Sequence, residues 1–439
     1  MRRPEKSRLV TREALQAKQA QRLRELLREV YPANPFYRRK FDEVAFDPGE
    51  LDRSDGEQDA LSLLSRLPLT TKAEFQKDQA ANPPYGTNLT YERARYTRLH
   101  QTSGTTGTPV RWLDTPDSWQ WYVDCWKEVY HGLGVRPDDR IFFPFAFGPF
   151  IGFWGGFEAA SQLGNFCLAG GGLTTIARLR FLLEHRITVV CSTPTYALHL
   201  AEVAAADGLD LPASDVRALV VAGEPGGSIP ATRERIEAAW GARVYDHCGM
   251  TETGSFGFEC HENPGGIHTL ESEFIVEVLV PGEESPVAPG ERGELVLTNL
   301  GRAGSPVIRY RTGDLVLWRD EPCPCGRPYG RLVEGILSRV DDMVFVRGNN
   351  VYPAAVEAII RRFTEVAEYR VRVLESGGMV GLRLELDPAP GLDETARSGL
   401  AGRVSRAVRN ALHFRPEVVV VSAGSLPRFE MKAQRFVRD

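Results

Sequence analysis

Apolar residues between about Thr11 and Tyr31 fall at Leu15, Leu23, Leu26, Leu27 and Val30 among charged positions, a spacing that gathers them on one face of a surface helix. From about Leu173 to Thr251 the pattern alternates. ARLRFLLEHR, YALHLAEVAAA and ATRERIEAAW carry helical spacing, and between and after them stand the short β-branched runs ITVVCS, VRALVVAG and ARVYDH. Such alternation predicts βαβ units around a parallel sheet, with a ligand site at the C-terminal ends of its strands. From about Phe274 to Trp318 the runs EFIVEVLV, GELVLTNL and DLVLW are divided by turn residues such as Pro281-Gly282-Glu283, which predicts a β-rich subdomain. Beyond Asp341 the order is a short strand (MVFVRG), a helix opened by Pro353, strands EYRVRVLE and MVGLRLEL joined at Ser376-Gly377-Gly378, a long helix to about Leu412 and the strand EVVVVS. This reads as a separate small α+β domain.

Length and composition narrow the class. The chain has 439 residues, 42% hydrophobic and 25% charged, enough for one large domain and a smaller one without disulfide staples. Lys and Arg total 53 against 58 Asp and Glu, a net charge of −5 without blocks of like charge, which excludes a nucleic-acid or anionic-membrane surface as the main partner. A small molecule is the partner to expect. Seven cysteines, odd in number and irregularly spaced, suit a reducing cytoplasm better than a secreted disulfide framework. The basic opening MRRPEKSRLVTREALQ has no apolar core behind it and is no secretory signal. The most apolar stretch, Ile141 to Phe157, is broken by Pro144, Gly148, Pro149, Gly152, Gly155 and Gly156, so it reads as buried loop or pocket wall, not a membrane span.

The candidate chemistry begins at Thr102-Ser103-Gly104-Thr105-Thr106-Gly107-Thr108-Pro109, after the strand-like RYTRLH. Glycines let backbone approach phosphate oxygens, and hydroxyls and free N–H groups can cradle them. No Gly-Lys-Ser/Thr follows, so this is not the common P-loop, and a Ser/Thr/Gly-rich surface turn is the lesser alternative if the loop stands alone. Four further segments follow in order: Gly223-Glu224-Pro225, Gly249-Met250-Thr251-Glu252, Tyr310-Arg311-Thr312-Gly313-Asp314, and Ser338-Arg339-Val340-Asp341-Asp342. Together they resemble the signature set of the adenylate-forming superfamily of acyl-CoA ligases, luciferases and peptide-synthetase adenylation domains. LHQTSGTTG, STPTYALHLAE, YRTGD, DDMVFVRGNNVYP, CPCGR and LPRFEMKAQR are most similar to the phenylacetate–CoA ligase branch. The resemblance runs from about Tyr37 to Asp439.

The resemblance implies an α/β fold with a large N-terminal adenylation domain, residues 1–337, holding parallel sheets and the β-rich subdomain, and a small mobile α+β C-terminal domain, 341–439. It implies two steps: a carboxylate attacks the α-phosphorus of ATP, releasing pyrophosphate, and a thiol, CoA, then attacks the acyl adenylate. Ser103, Gly104, Thr105, Thr106 and Gly107 would cradle phosphate, and Glu252 beside Thr251 would hold Mg²⁺. Asp314 would bind the ribose hydroxyls with Arg339 as its basic companion, Gly223, Glu224 and Pro225 would wall the adenine, and Asp246 would belong to the same nucleotide site. Lys432 would bridge the substrate carboxylate and α-phosphate during adenylation. Asp341 would be the hinge for domain rotation, with Phe345 to Tyr352 lining the thiol channel. Each residue also has an ordinary structural reading, as a surface carboxylate, an ion pair or a solvated lysine.

Two departures stand out: Thr108 where the branch has Lys, and Cys248 where the family has a tyrosine that stacks on adenine. A thiol covers far less of a purine than a phenol ring does. Cys260, His268, Cys323 and Cys325, with His261 in reserve, suit a closed tetrahedral Zn²⁺ site, and similar cysteines and a histidine recur in the branch; reduced buried thiols are the alternative. Cys125, Cys167 and Cys191 read as core. Phe145, Phe147, Phe150, Phe153 and Tyr196 favour a flat apolar acid, aryl or arylacetic, or are simply core. A carrier protein or an amine as acceptor stays open, as do a homodimer and a zinc-containing binding protein without catalysis.

Overall fold

The computed structural model describes residues 11–53, 57–102, 108–340, 342–346, 349–376, 379–429 and 433–438. By contact density the chain divides into two units, Met1–Gly171 with Tyr245–Gly335, and Gly172–Val244 with Ile336–Asp439.

In the first unit the helix Arg12–Ala33 starts where the pattern places it. The Thr11 side chain accepts from Ala14 N, and the predicted apolar face, Leu15, Leu23, Leu26, Leu27 and Val30, is buried. Its inner residues join Phe36, Tyr37, Phe41, Phe75, Trp112 and Tyr310 in one core. The β-rich segment forms an antiparallel succession: Phe274–Leu279, Arg292–Asn299, Tyr310–Arg319, Arg331–Val333, Asn263–Thr269, Gly254–Cys260 and the strand ending at Met250. The helix Pro116–Gly132 lays Trp119, Tyr122, Trp126 and Val129 inward. Gly132 is required there, since a Cβ would stand 2.0 Å from the Phe258 ring. The stretch 141–157 is less irregular than its glycines and prolines suggest. Arg140–Phe143 is a strand parallel to Phe166–Ala169, and Trp154–Gln162 is a helix, so only the middle is loop. Gly155 permits that helix, because a Cβ would meet Tyr122 and Trp126 at 2.3 and 2.6 Å.

In the second unit the predicted βαβ order appears. Val189–Ser192 and Ala218–Val221 are parallel neighbours, fully buried, with helices Thr175–Glu184, Pro194–Ala206 and Pro230–Trp240. The C-terminal part holds a four-stranded sheet in the order Glu417–Val420, Met379–Pro388, Val366–Ser376, Phe436–Arg438. The helices Pro353–Ile360 and Glu394–Leu412 share its core through Val356, Ile360, Leu400, Val404 and Val408. The terminal strand Phe436–Arg438, parallel to Val366–Ser376, has too few residues to show a period in the sequence. Among the described residues no helix is long and apolar enough to cross a membrane.

Candidate active site and metal centre

Ser103 to Gly107, Asp341 and Lys432 lie outside the described residues. The flanks of the small-residue loop are held together: Thr102 N donates to Val110 O at 2.9 Å, Val110 N to Thr102 Oγ1 at 3.0 Å, and Gln76 Nε2 to Thr108 O at 2.7 Å.

Glu252 sits on the turn between the strand ending at Met250 and the strand Gly254–Cys260, and it is buried at 4% exposure. That turn is fixed by Arg302. Its Nη1 donates to the carbonyls of Thr251 (2.7 Å) and Glu252 (3.2 Å), while Nε and Nη2 bind both oxygens of Asp114 at 2.7 and 2.6 Å. Both side chains of the pair are fully buried, so a fork-shaped cation and a carboxylate satisfy each other where water does not reach. The Glu252 Oε1 atom accepts from Tyr310 Oη at 3.4 Å and lies 3.5 Å from Lys72 Nζ. Lys72 opens the helix Lys72–Ala81, one turn before the Gln76 that holds Thr108, so both project from the same helix face. Arg302 and Lys72 escaped the sequence reading. Their partners are 188 and 180 positions away in the chain, and no local pattern signals them.

Asp314 owes its place to a bulge. Glu294 pairs with Leu315 and Val296 with Arg311, so Thr312, Gly313 and Asp314 together face Leu295. Gly313 takes φ 76°, which favours glycine. Thr312 Oγ1 donates to Leu295 O at 2.8 Å and accepts from Asp314 N at 3.1 Å. The Thr-Gly-Asp sequence is therefore the local chemistry of the bulge, with the carboxylate carried on its last residue. Cys248 is buried, and burial pushes its thiol well up, reinforced by the nearby carboxylates of Asp246, Asp314 and Glu259. The structure thus brings Asp246, Cys248 and Asp314 together.

Next to Cys248, the His247 ring lies 4.1 Å from the Trp126 ring. Its Nδ1 stands 2.7 Å from Gly257 O, and burial drives its pKa down to about 4. Trp126 in turn meets Phe153, and Phe153 joins Phe143, Phe145, Phe147 and Phe157 in one aromatic cluster. Phe150 is instead 38% exposed. Tyr196 is buried in the second unit, where its hydroxyl accepts from Arg178 and lies 3.3 Å from Thr175 Oγ1.

In the second unit Gly223, Glu224 and Pro225 follow the strand Ala218–Val221 at its C-terminal end, with Gly223 at φ 95°. The Glu224 carboxylate accepts from Thr195 N at 2.9 Å and from Ala433 N at 2.7 Å. Burial raises its pKa, against the opposing pull of Arg435 and the hydrogen bond from Thr195. Arg339 lies on the two-residue strand Ser338–Arg339. Of the segment expected along a thiol channel, Val344–Val346 and Asn349–Val351 pair antiparallel, with Val344, Val346 and Val351 buried and Phe345 59% exposed.

Cys260, His268, Cys323 and Cys325 converge, their ligand atoms all within 4.8 Å of one another. A tetrahedral ion with bonds of ~2.3 Å to sulfur would hold such atoms about 3.8 Å apart, so small side-chain rotations suffice. His268 Nδ1 faces the carbonyls of Tyr329 (3.1 Å) and Gly330 (3.4 Å), and Nε2 lies 3.5 Å from Cys325 Sγ. A carbonyl accepts only from a protonated Nδ1, so the Nε2 lone pair faces the three sulfurs, as in a metal-ligating histidine. The donor set fits zinc. His261 is absent from the cluster, its Nδ1 lying 3.0 Å from Gly132 O. Of the three cysteines expected in the core, Cys125 and Cys191 are buried and Cys167 is half-buried.

Comparison with known proteins accords with this geometry. The AMP-binding enzyme profile matches residues 53–302, and that of the AMP-binding enzyme C-terminal domain matches 348–439. Phenylacetate-coenzyme A ligase of Thermus thermophilus is 30% identical over 446 residues, covering 98% of this chain and 97% of that protein. The enzyme of the same name from Escherichia coli is 30% identical, with 96% and 94% covered. Among solved structures, 2-hydroxyisobutyryl-CoA ligase in the postadenylation state, in complex with 2-HIB-AMP, aligns with a TM-score of 0.91 at 30% identity, covering 100% of this chain and 94% of that one.

Proposed function

Since this chain belongs to the AMP-binding enzyme family and is an AMP-forming acid–CoA ligase, we propose that its acid is an aryl or arylacetic acid, activated by ATP and handed to CoA. The observation that carries the substrate class is the aromatic cluster of Phe143, Phe145, Phe147, Phe153 and Phe157. Through Trp126 it reaches His247, which stands between Asp246 and Cys248 in the sequence. A flat apolar acid placed against these rings would bring its carboxylate toward the nucleotide.

In the proposed reaction an acid oxygen attacks the α-phosphorus of ATP, the bond to the bridging oxygen breaks, and pyrophosphate leaves. The CoA sulfur then attacks the acyl carbon, its proton is lost, and AMP leaves. Asp314 accepts from the ribose hydroxyls with Arg339 as companion, and Asp246 belongs to the same nucleotide site. Ser103 to Gly107 wrap the phosphates. Glu252 would hold Mg²⁺, which when bound would neutralise phosphate charge. Lys72 supplies beside Glu252 the cation that Thr108 does not. Lys432 draws the substrate carboxylate and α-phosphate together, and residues 341–439 rotate about Asp341 between the steps, apart from the large domain 1–337. Cys260, His268, Cys323 and Cys325 would hold one structural zinc that closes the site with protein ligands, and the cysteines outside this cluster, none of them in a disulfide, suit the cytoplasm.

Pyrophosphate release across a panel of aryl, arylacetic and aliphatic acids tests the substrate class. We expect kcat/KM for aryl or arylacetic acids to exceed that for aliphatic acids of similar size at least tenfold; the reverse order refutes it.

A further inference from the structure

The Glu224 side chain has a more specific job than walling off a base. Its two carboxylate oxygens are shared between two stretches of backbone far apart in sequence: Oε1 accepts from Thr195 N at 2.9 Å, and Oε2 from Ala433 N at 2.7 Å. Thr195 lies in the first turn of the helix Pro194–Ala206, where N–H groups lack intrahelical partners, so a carboxylate there is doubly favoured. The other stretch is held a second time, two residues on. Arg435 Nη2 donates to Thr195 Oγ1 at 3.0 Å, and its Nε and Nη2 bind both oxygens of Glu368 at 2.7 and 3.1 Å. Its carbonyl accepts from Val371 N at 2.8 Å. Thr195 is therefore clasped from both sides, by Glu224 and by Arg435, and both clasps fasten the few residues that directly follow Lys432.

We propose that Glu224 is a positioning residue, a latch that seats the lysine-bearing end of the chain against the nucleotide-binding turn for adenylation and lets it go for thioester formation. This rests on the reading of Lys432 given above. A charge-assisted bond in a buried setting changes an equilibrium about 10- to 100-fold. That preference for the latched arrangement speeds only the step in which the lysine acts. The second step, which needs the segment elsewhere, gains nothing from it.

The test measures two half-reactions on the full chain: pyrophosphate release from ATP and acid, and CoA thioester formation from supplied acyl adenylate. In Glu224→Gln one carboxylate oxygen becomes an NH₂ that must face an N–H group. We expect adenylation kcat to fall about 10- to 100-fold, thioester formation to fall less than about twofold, and KM for ATP to stay within about twofold. Thr195→Val keeps the backbone N–H that Glu224 binds and removes only the oxygen bound by Arg435. It should tilt the ratio of half-reactions the same way, about threefold, and carries the test alone if the first variant does not fold. Equal losses in both half-reactions, or a raised ATP KM with kcat kept, overturn the latch and return Glu224 to the adenine wall. Failure of the unsubstituted chain to release pyrophosphate with any acid would instead strike the underlying reading.

Discussion

Replacing Arg302 with methionine should separate the stability of the first unit from its chemistry. In the unsubstituted protein the guanidinium meets Asp114 through two bonds of 2.7 and 2.6 Å, and the Thr251 and Glu252 carbonyls at 2.7 and 3.2 Å. Arg302→Met leaves the Asp114 carboxylate fully buried without its cation, and breaking a buried pair in this way costs about 3–5 kcal/mol. At about 2–4 °C per kcal/mol for a large domain, the thermal midpoint should drop about 6–20 °C. Adding Asp114→Leu removes the stranded charge. Apolar replacement of a whole buried pair is close to neutral or better, so the double variant should regain most of that midpoint. Its adenylation rate should stay at least about tenfold down, because the turn carrying Glu252 still lacks the donor for its two carbonyls. Scanning calorimetry and pyrophosphate release on the two single variants and the double variant complete the cycle. A single-variant loss below about 1 kcal/mol, or a double variant that recovers both midpoint and rate, refutes the reasoning.

Lys72→Ala should lower adenylation about 10- to 100-fold, with no change in thioester formation from supplied adenylate beyond about twofold; equal rates in wild type and variant in the first assay would dismiss Lys72. Elemental analysis after metal-replete expression should find close to one zinc per chain, and Cys323→Ser should lower both that content and the melting temperature more than it lowers turnover of folded protein; under about a tenth of an equivalent would mark ordinary thiols. Burial holds His100 and His247 down at about 4, against an ordinary 6.5. Unfolded chains therefore bind protons first as pH falls, and stability should decline from about pH 6.5 toward 4 by about 1.4 kcal/mol per pH unit for each histidine. Urea midpoints between pH 7 and 5 read that slope, and His247→Gln should flatten it; a slope unchanged in the variant would show that His247 is not its source.

Elements with a repeating pattern were legible in advance. Leu15 to Val30 announced a helix, VVCS and ALVV announced buried parallel strands, and the long strands and helices of the C-terminal part followed from the same periodicities, whereas the division of the chain by contacts joins that part to residues 172–244. Asp314 and Glu252 were named from the resemblance of their motifs, and the bulge and turn that carry them are built by their immediate neighbours, Gly313 and Thr251 among them. What stayed hidden depends on distant partners. Nothing near Arg302 names Asp114, nothing near Glu252 names Lys72, and Glu224 looks like any acid in a Gly-x-Pro turn until Thr195 and Ala433 arrive at its two oxygens. The tautomer of His268 was equally invisible, since Tyr329 and Gly330 bring carbonyls and no distinctive side chain.

The bulge at Thr312, Gly313 and Asp314 sets a parity on this part of the gene. Three residues stand against one, an excess of two, and strand side chains alternate with period two. Tyr310 before the bulge and Val316 after it therefore both point inward, and the buried positions continue through without inversion. Losing one codon here would turn Val316 out and Leu315 and Leu317 in, scrambling the core from a single deletion. Losing Gly313 and Asp314 together would keep the inward set in register and remove the carboxylate proposed for the ribose. Length variation at this point can therefore yield a misfolded chain or a silent one, and a deletion library across residues 311–315 should recover soluble members only at even steps.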